Sequence, residues 1–86
     1  MQFTRNPDLI ATEMDGELVM MSVERGEYFG LKGIGSRIWA LLEQPQTLDQ
    51  LVSQVCQEFK VEADVCRQDL TRFTQQMLDK GLLRQQ

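Results

Sequence analysis

The chain has 86 residues, with 9 Lys plus Arg against 13 Asp plus Glu and no histidine. A single domain of that length buries only about 60% of its unfolded surface, which leaves little room for a deep catalytic cavity. The formal charge of -4 has the wrong sign for the phosphate attraction behind nucleic-acid binding, and without histidine the usual general base and the commonest transition-metal ligand are missing.

After a polar start closed by Asn6-Pro7, the segment Leu9 to Met14 is short, partly β-branched and followed by Asp15-Gly16, a two-residue hairpin signal. Glu17 to Val23 is the returning strand. Arg25-Gly26 marks a second turn, and "EYFGL" at Glu27 to Leu31 makes a third strand, so the N-terminal third reads as a three-stranded antiparallel meander.

From Ile34 the period changes. Ile34, Ile38, Leu41 and Leu42 share one helical face with Trp39 beside it, and Pro45 stops a helix of about 34–43. Thr47 with Gln50 fits a capping box opening a second helix, about 47–59, on which Leu48, Leu51, Val52, Val55 and Phe59 share one face. Cys66, Leu70, Phe73 and Met77 define a third helix, about 63–80, that Gly81 ends, and Leu82 and Leu83 fold back onto the bundle. Three strands of about 9–14, 17–23 and 27–31 followed by a three-helix bundle make a single α+β domain over 1–86, winged helix-turn-helix-like with its sheet leading.

Chemistry-bearing patterns are few. Gly30, Gly33 and Gly35 lack the Lys-Ser/Thr pair of a phosphate loop and read as turn glycines. The carboxylates Glu58, Glu62, Asp69 and Asp79 scatter over solvent-facing helix positions. Cys56 and Cys66 stand on apolar helix faces without a CxxC pair or a histidine base, so they read as packing residues rather than as metal ligands or nucleophiles. No apolar run approaches the roughly 18 residues of a membrane span, and the expected protein is soluble and cytoplasmic. No catalytic residue, metal site or cofactor is expected.

The third strand is of a different kind. In a meander it lies at a sheet edge, where unpaired backbone groups can accept an extended peptide, and the groove between it and the third helix would supply side-chain pockets.

These residues resemble the PqqD-like peptide-recognition domains, also called RiPP recognition elements, and among them the small stand-alone leader-binding proteins of lasso-peptide biosynthesis. The resemblance runs from about Val19 to Leu83. It is carried by "RGEYFGL" at Arg25 to Leu31, "GSRIWALL" at Gly35 to Leu42, "TLDQLV" at Thr47 to Val52 and "DLTRFTQQMLDKGLL" at Asp69 to Leu83. The last resembles the family pattern D-V-x-x-F-L-x-x-L-x-x-x-G-L, with Leu70, Thr74 and Met77 as substitutions. Lys32 departs from the family, which usually has Asn there, and a lysine cannot accept the amide hydrogen bonds of a helix start.

The resemblance implies a non-catalytic adaptor that binds the leader of a ribosomally made precursor peptide. It implies as partners a cysteine-protease-like leader peptidase and an ATP-dependent cyclase that acts later on the core. The leader would add as a strand antiparallel to Glu27, Tyr28, Phe29, Gly30 and Leu31. Phe73 would form the groove floor, and Val65, Asp69, Arg72 and Gln76 would contribute from the third helix. Strand parity places Tyr28 and Phe29 on opposite faces, and either can be the one that meets the peptide. The alternatives are a PqqD-type chaperone of another peptide-modification pathway and a winged-helix DNA-binding regulator.

Overall fold

The computed structural model describes residues 1–86. In chain order the elements are β1 (Phe3–Arg5), β2 (Leu9–Met14), β3 (Glu17–Ser22), β4 (Glu27–Leu31), α1 (Gly33–Leu41), α2 (Leu48–Phe59), α3 (Ala63–Asp79) and β5 (Leu83–Gln85). The α+β class with a three-stranded antiparallel sheet and three helices is observed, in the order β2-β3-β4. Asp15 and Gly16 both take positive φ, 52° and 79°. That is the condition of the two-residue turn whose twist matches its flanking strands.

Register follows from that turn. Leu9, Ala11 and Glu13 share a face with Leu18, Met20 and Ser22 and, across β4, with Glu27, Phe29 and Leu31. This face meets the helices: Met20 is fully buried, and Leu9, Leu18, Phe29 and Leu31 pack against the core formed with Ile38, Trp39, Leu42, Leu51, Val55, Leu70 and Met77. The other face carries Ile10, Met21 and Tyr28.

The helix ends follow from local chemistry. At Thr47 both halves of the capping box form: the Gln50 amide donates to Thr47 Oγ1 at 3.1 Å, and the Thr47 amide donates to Gln50 Oε1 at 2.8 Å. Lys32 precedes α1 without a side-chain cap and instead reaches Glu17 at 3.8 Å. α1 stops at Leu41, two residues short of the expected end. At the end of α3, Gly81 has φ +76°. Its amide donates to the Leu78 carbonyl and that of Leu82 to the Met77 carbonyl, which satisfies two end carbonyls and turns the chain back toward the core.

The meander is not the whole of the strand content. β1 and β5 form a second, two-stranded antiparallel sheet that joins the termini, with Phe3 opposite Gln85 and Arg5 opposite Leu83. Phe3 also exchanges two backbone hydrogen bonds with Gln46, at 2.7 and 3.1 Å, so the same clasp holds the α1–α2 connection. The Arg5 guanidinium lies 5.0 Å from the Trp39 ring centroid and donates to the Trp39 carbonyl at 3.0 Å. No helix is long and apolar enough to cross a membrane.

Candidate functional site

β4 is an edge strand: it pairs with β3 on one side only, so alternate backbone donors and acceptors point outward unpaired. Beside it, β4, α1, α2 and α3 enclose an apolar groove of about 420 Å³. Gly30 and Leu31 form one wall, Ile34, Gly35 and Ile38 of α1 the end, and Cys66, Asp69, Leu70 and Phe73 of α3 the opposite wall, with Val55 and Val61 beneath.

The groove exists because a side chain is missing at one position. A methyl group at Gly35 would sit 3.5 Å from both Leu31 Cδ2 and Phe73 Cε1, so any longer side chain there would project into the space those residues border. Ile34 belongs to the apolar stripe of α1 yet is 44% exposed at the rim, where a bound apolar group would cover it. The polar groups at the mouth are Lys32, held to Glu17, and Asp69, held to Arg72 at 3.8 Å.

The expected residues do not all come together. Leu31, Gly30, Asp69 and Phe73 line the groove. Phe29 faces the helices, half-buried, with the Lys80 amine 5.8 Å from its ring centroid. Tyr28 points to the other face of the sheet and is 73% exposed; pairing with Met21 places it there. Glu27 is exposed at the start of β4. Arg72 and Gln76 lie on the polar outer face of α3 with Arg67, Thr71 and Gln75, and Val65 is half-exposed one turn before Asp69.

Sequence reasoning missed the contributions of Lys32, Ile34, Gly35, Ile38, Val55, Val61, Cys66 and Leu70 to the groove. The signal of Ile34, Ile38, Val55, Cys66 and Leu70, apolar spacing on three helices, is the ordinary core signal, while Val61 lies in the α2–α3 connection and Gly35 carries no side chain; only the packing leaves part of that surface uncovered. Burial pushes the Cys66 thiol up to about 11, with neighbouring Cys56 adding to the effect, so at neutral pH it is a protonated, weakly nucleophilic wall residue. No cluster of three His, Cys, Asp or Glu side chains is arranged to hold a metal ion.

A family model described as coenzyme PQQ synthesis protein D (PqqD) matches residues 17–83. Among solved structures, TbiB1 in complex with the TbiA(beta) leader peptide superposes with a TM-score of 0.87 at 31% identity, over 96% of each chain. Lasso peptide synthetase B1 complexed with the leader peptide superposes with a TM-score of 0.84 at 19% identity, over 99% of this chain and 100% of that one, and shares the fold. No curated protein sequence matches the chain.

Proposed function

The chain belongs to the PqqD family as a PqqD-like RiPP recognition element, and from that premise we propose that it is a non-catalytic adaptor for the leader of a ribosomally made precursor peptide, of lasso type. Residues 1–86 act as one recognition domain, winged helix-turn-helix-like in arrangement but turned to peptide binding. The observation that carries this reading is the free edge of β4 beside an apolar groove closed by α3.

The leader adds to β4 in antiparallel sense, so backbone hydrogen bonds set its register and alternate side chains face the groove. Antiparallel addition brings the N-terminal part of the leader to the Leu31 end of β4, where the groove lies, and that part supplies the apolar group that fills it. Leu31 and Phe73 present the apolar wall, and Phe29, on the same face of β4 as Leu31, packs against the core beside it. Asp69, tied to Arg72, and Lys32 offer charge of both signs at the mouth. Val65 and Gln76 flank the peptide from α3, and Tyr28 and Glu27 border it through the backbone of β4. Bound in this way, the leader is presented to a cysteine-protease-like peptidase in the cytoplasm, and an ATP-dependent cyclase acts on the core afterwards.

Fluorescence-polarisation titration with the leader of the precursor peptide encoded beside the gene tests the reading. Saturable binding is expected, and its absence would sink the assignment. Phe29→Pro removes a backbone donor and locks φ in the receiving strand, so the folded variant is expected to lose at least about tenfold in affinity, on the order of 1.4 kcal/mol. A DNA-binding regulator would instead show tight, salt-sensitive mobility shifts, which the charge of -4 opposes.

A further inference from the structure

The cleft between β4 and α3 changes character along its length. α3 runs antiparallel to β4: Phe73 borders Gly35 beside Leu31, the Lys80 amine lies 5.8 Å from the Phe29 ring centroid, and the Arg25 guanidinium stands against Gly81. The Leu31 end is the apolar groove. The Phe29 end, about two helical turns further along α3, carries two cations.

Those cations are distinguished by their lack of a partner. Of the 9 Lys and Arg side chains, five face a carboxylate at 2.5–3.8 Å. Arg5 is taken up by the Trp39 carbonyl, and Lys60 stands apart at the end of α2. Arg25 and Lys80 have no such carboxylate, although the chain carries 13 Asp plus Glu. Capping of α3 does not account for Lys80. The end carbonyls of Gln76, Met77 and Leu78 accept backbone amides, and that of Asp79 accepts from Arg25 at 3.4 Å. The Lys80 ammonium lies instead over the helix-facing ring of β4.

A leader strand added antiparallel to β4 starts at Leu31 and runs on toward Phe29 and Glu27. Every second side chain turns to the helix side, so the one about two residues after the groove-filling apolar group faces Phe29, beside Lys80. The next such position faces Glu27, whose own carboxylate would repel another. Asp79 is turned away, accepting from Gln75 on the polar outer side of α3 at 3.0 Å, and Glu24 lies in the turn beyond Arg25. With a formal charge of -4 the domain as a whole repels an acidic ligand, so local cations decide where an acidic side chain is held.

We propose that Lys80, supported by Arg25, selects an acidic side chain of the leader at the helix-facing position about two residues after the apolar group that fills the groove. The inference rests on the leader-binding reading above and deepens it: the cleft reads an apolar group followed by Asp or Glu.

A double-mutant cycle read by fluorescence polarisation tests this. The probes are the leader of the precursor peptide encoded beside the gene and versions of it in which each Asp or Glu is changed singly to Asn or Gln. Lys80→Met keeps an apolar stem over Phe29 and removes the charge. It is expected to weaken leader binding at least about threefold at low salt and to flatten its salt dependence, while Lys80→Arg retains affinity. One amide leader is expected to lose a similar factor against the parent protein and to lose little against Lys80→Met/Arg25→Gln. Arg84→Gln makes the same change of net charge on β5 and is expected to leave affinity unchanged. A lower melting temperature without lower affinity in Lys80→Met would assign the lysine to the helix end and overturn the proposal. An amide penalty that persists in the double variant, an equal loss in Arg84→Gln, or tight binding of a leader that carries no acidic residue would overturn it as well. Each of these leaves leader binding standing, whereas no binding by the parent protein would remove the leader reading and this selection with it.

Discussion

Gly35 shows how much one residue can decide. It sits inside α1, where glycine is disfavoured by about 0.5–1 kcal/mol relative to alanine, yet its bare backbone is what keeps Leu31 and Phe73 apart from a third side chain. Gly35→Ala places a methyl at ordinary contact distance from both and is expected to raise the melting temperature by a few degrees, since about 1 kcal/mol corresponds to roughly 4–8 °C in a domain this small. Gly35→Leu projects beyond that contact into the groove. It is expected to reduce leader affinity by roughly tenfold or more in the same polarisation titration, with the helix retained by circular dichroism. Tyr28 and Phe29 show the complementary lesson. Alternation told that they oppose each other, and the pairing of Phe29 with buried Met20 decided that Phe29 turns inward.

At the scale of elements, local chemistry was legible wherever it is self-contained. The Asp15-Gly16 turn, the Thr47 box and the Gly81 stop each satisfy backbone groups within a few residues, so their residue types announce them. Thr47→Ala leaves an amide of the first turn of α2 without its acceptor and is expected to cost about 1 kcal/mol, read as a lower urea midpoint at unchanged slope. Lys60 ends α2 in the left-handed region, with φ 52°, where a side chain is disfavoured by about 1–2 kcal/mol. Combined with Thr47→Ala, Lys60→Gly is expected to offset part of the loss, by less than the full left-handed penalty because glycine also loosens the unfolded chain. β1 and β5 were not legible. Each has three residues, too few for a period to show, and each becomes a strand only because the other end of the chain lies beside it.

The whole molecule is held by contacts that local pattern does not reveal. Phe3, at 8% exposure, belongs to the core through the terminal clasp, and Phe3→Ala is expected to destabilise by about 3 kcal/mol, a large share of what a domain of this size possesses. Its measurement is a chemical denaturation curve. Packing of α2 on α3 likewise holds the Cys66 thiol at about 11 against an ordinary 9.0. Below the unfolded value both states keep the proton and the stability is fully present. As pH rises from about 9 toward 11 the unfolded chain releases it first, so stability falls over that window. Urea midpoints measured across that range are expected to decline, and to decline less in Cys66→Ala, whose lower starting stability reflects the lost packing.

By itself the sequence determined the class of the fold, the meander and its turns, the three helical faces and the exclusion of histidine chemistry, because composition, period and caps act over a few neighbouring residues. Only the tertiary structure decided that Phe29 rather than Tyr28 faces the helices, that Gly35 opens a groove, that Arg72 and Gln76 stand on an outer polar face, and that the termini pair. Each of these depends on the separation between elements distant in the chain. That distance is set by how whole side chains pack, and no local pattern carries it.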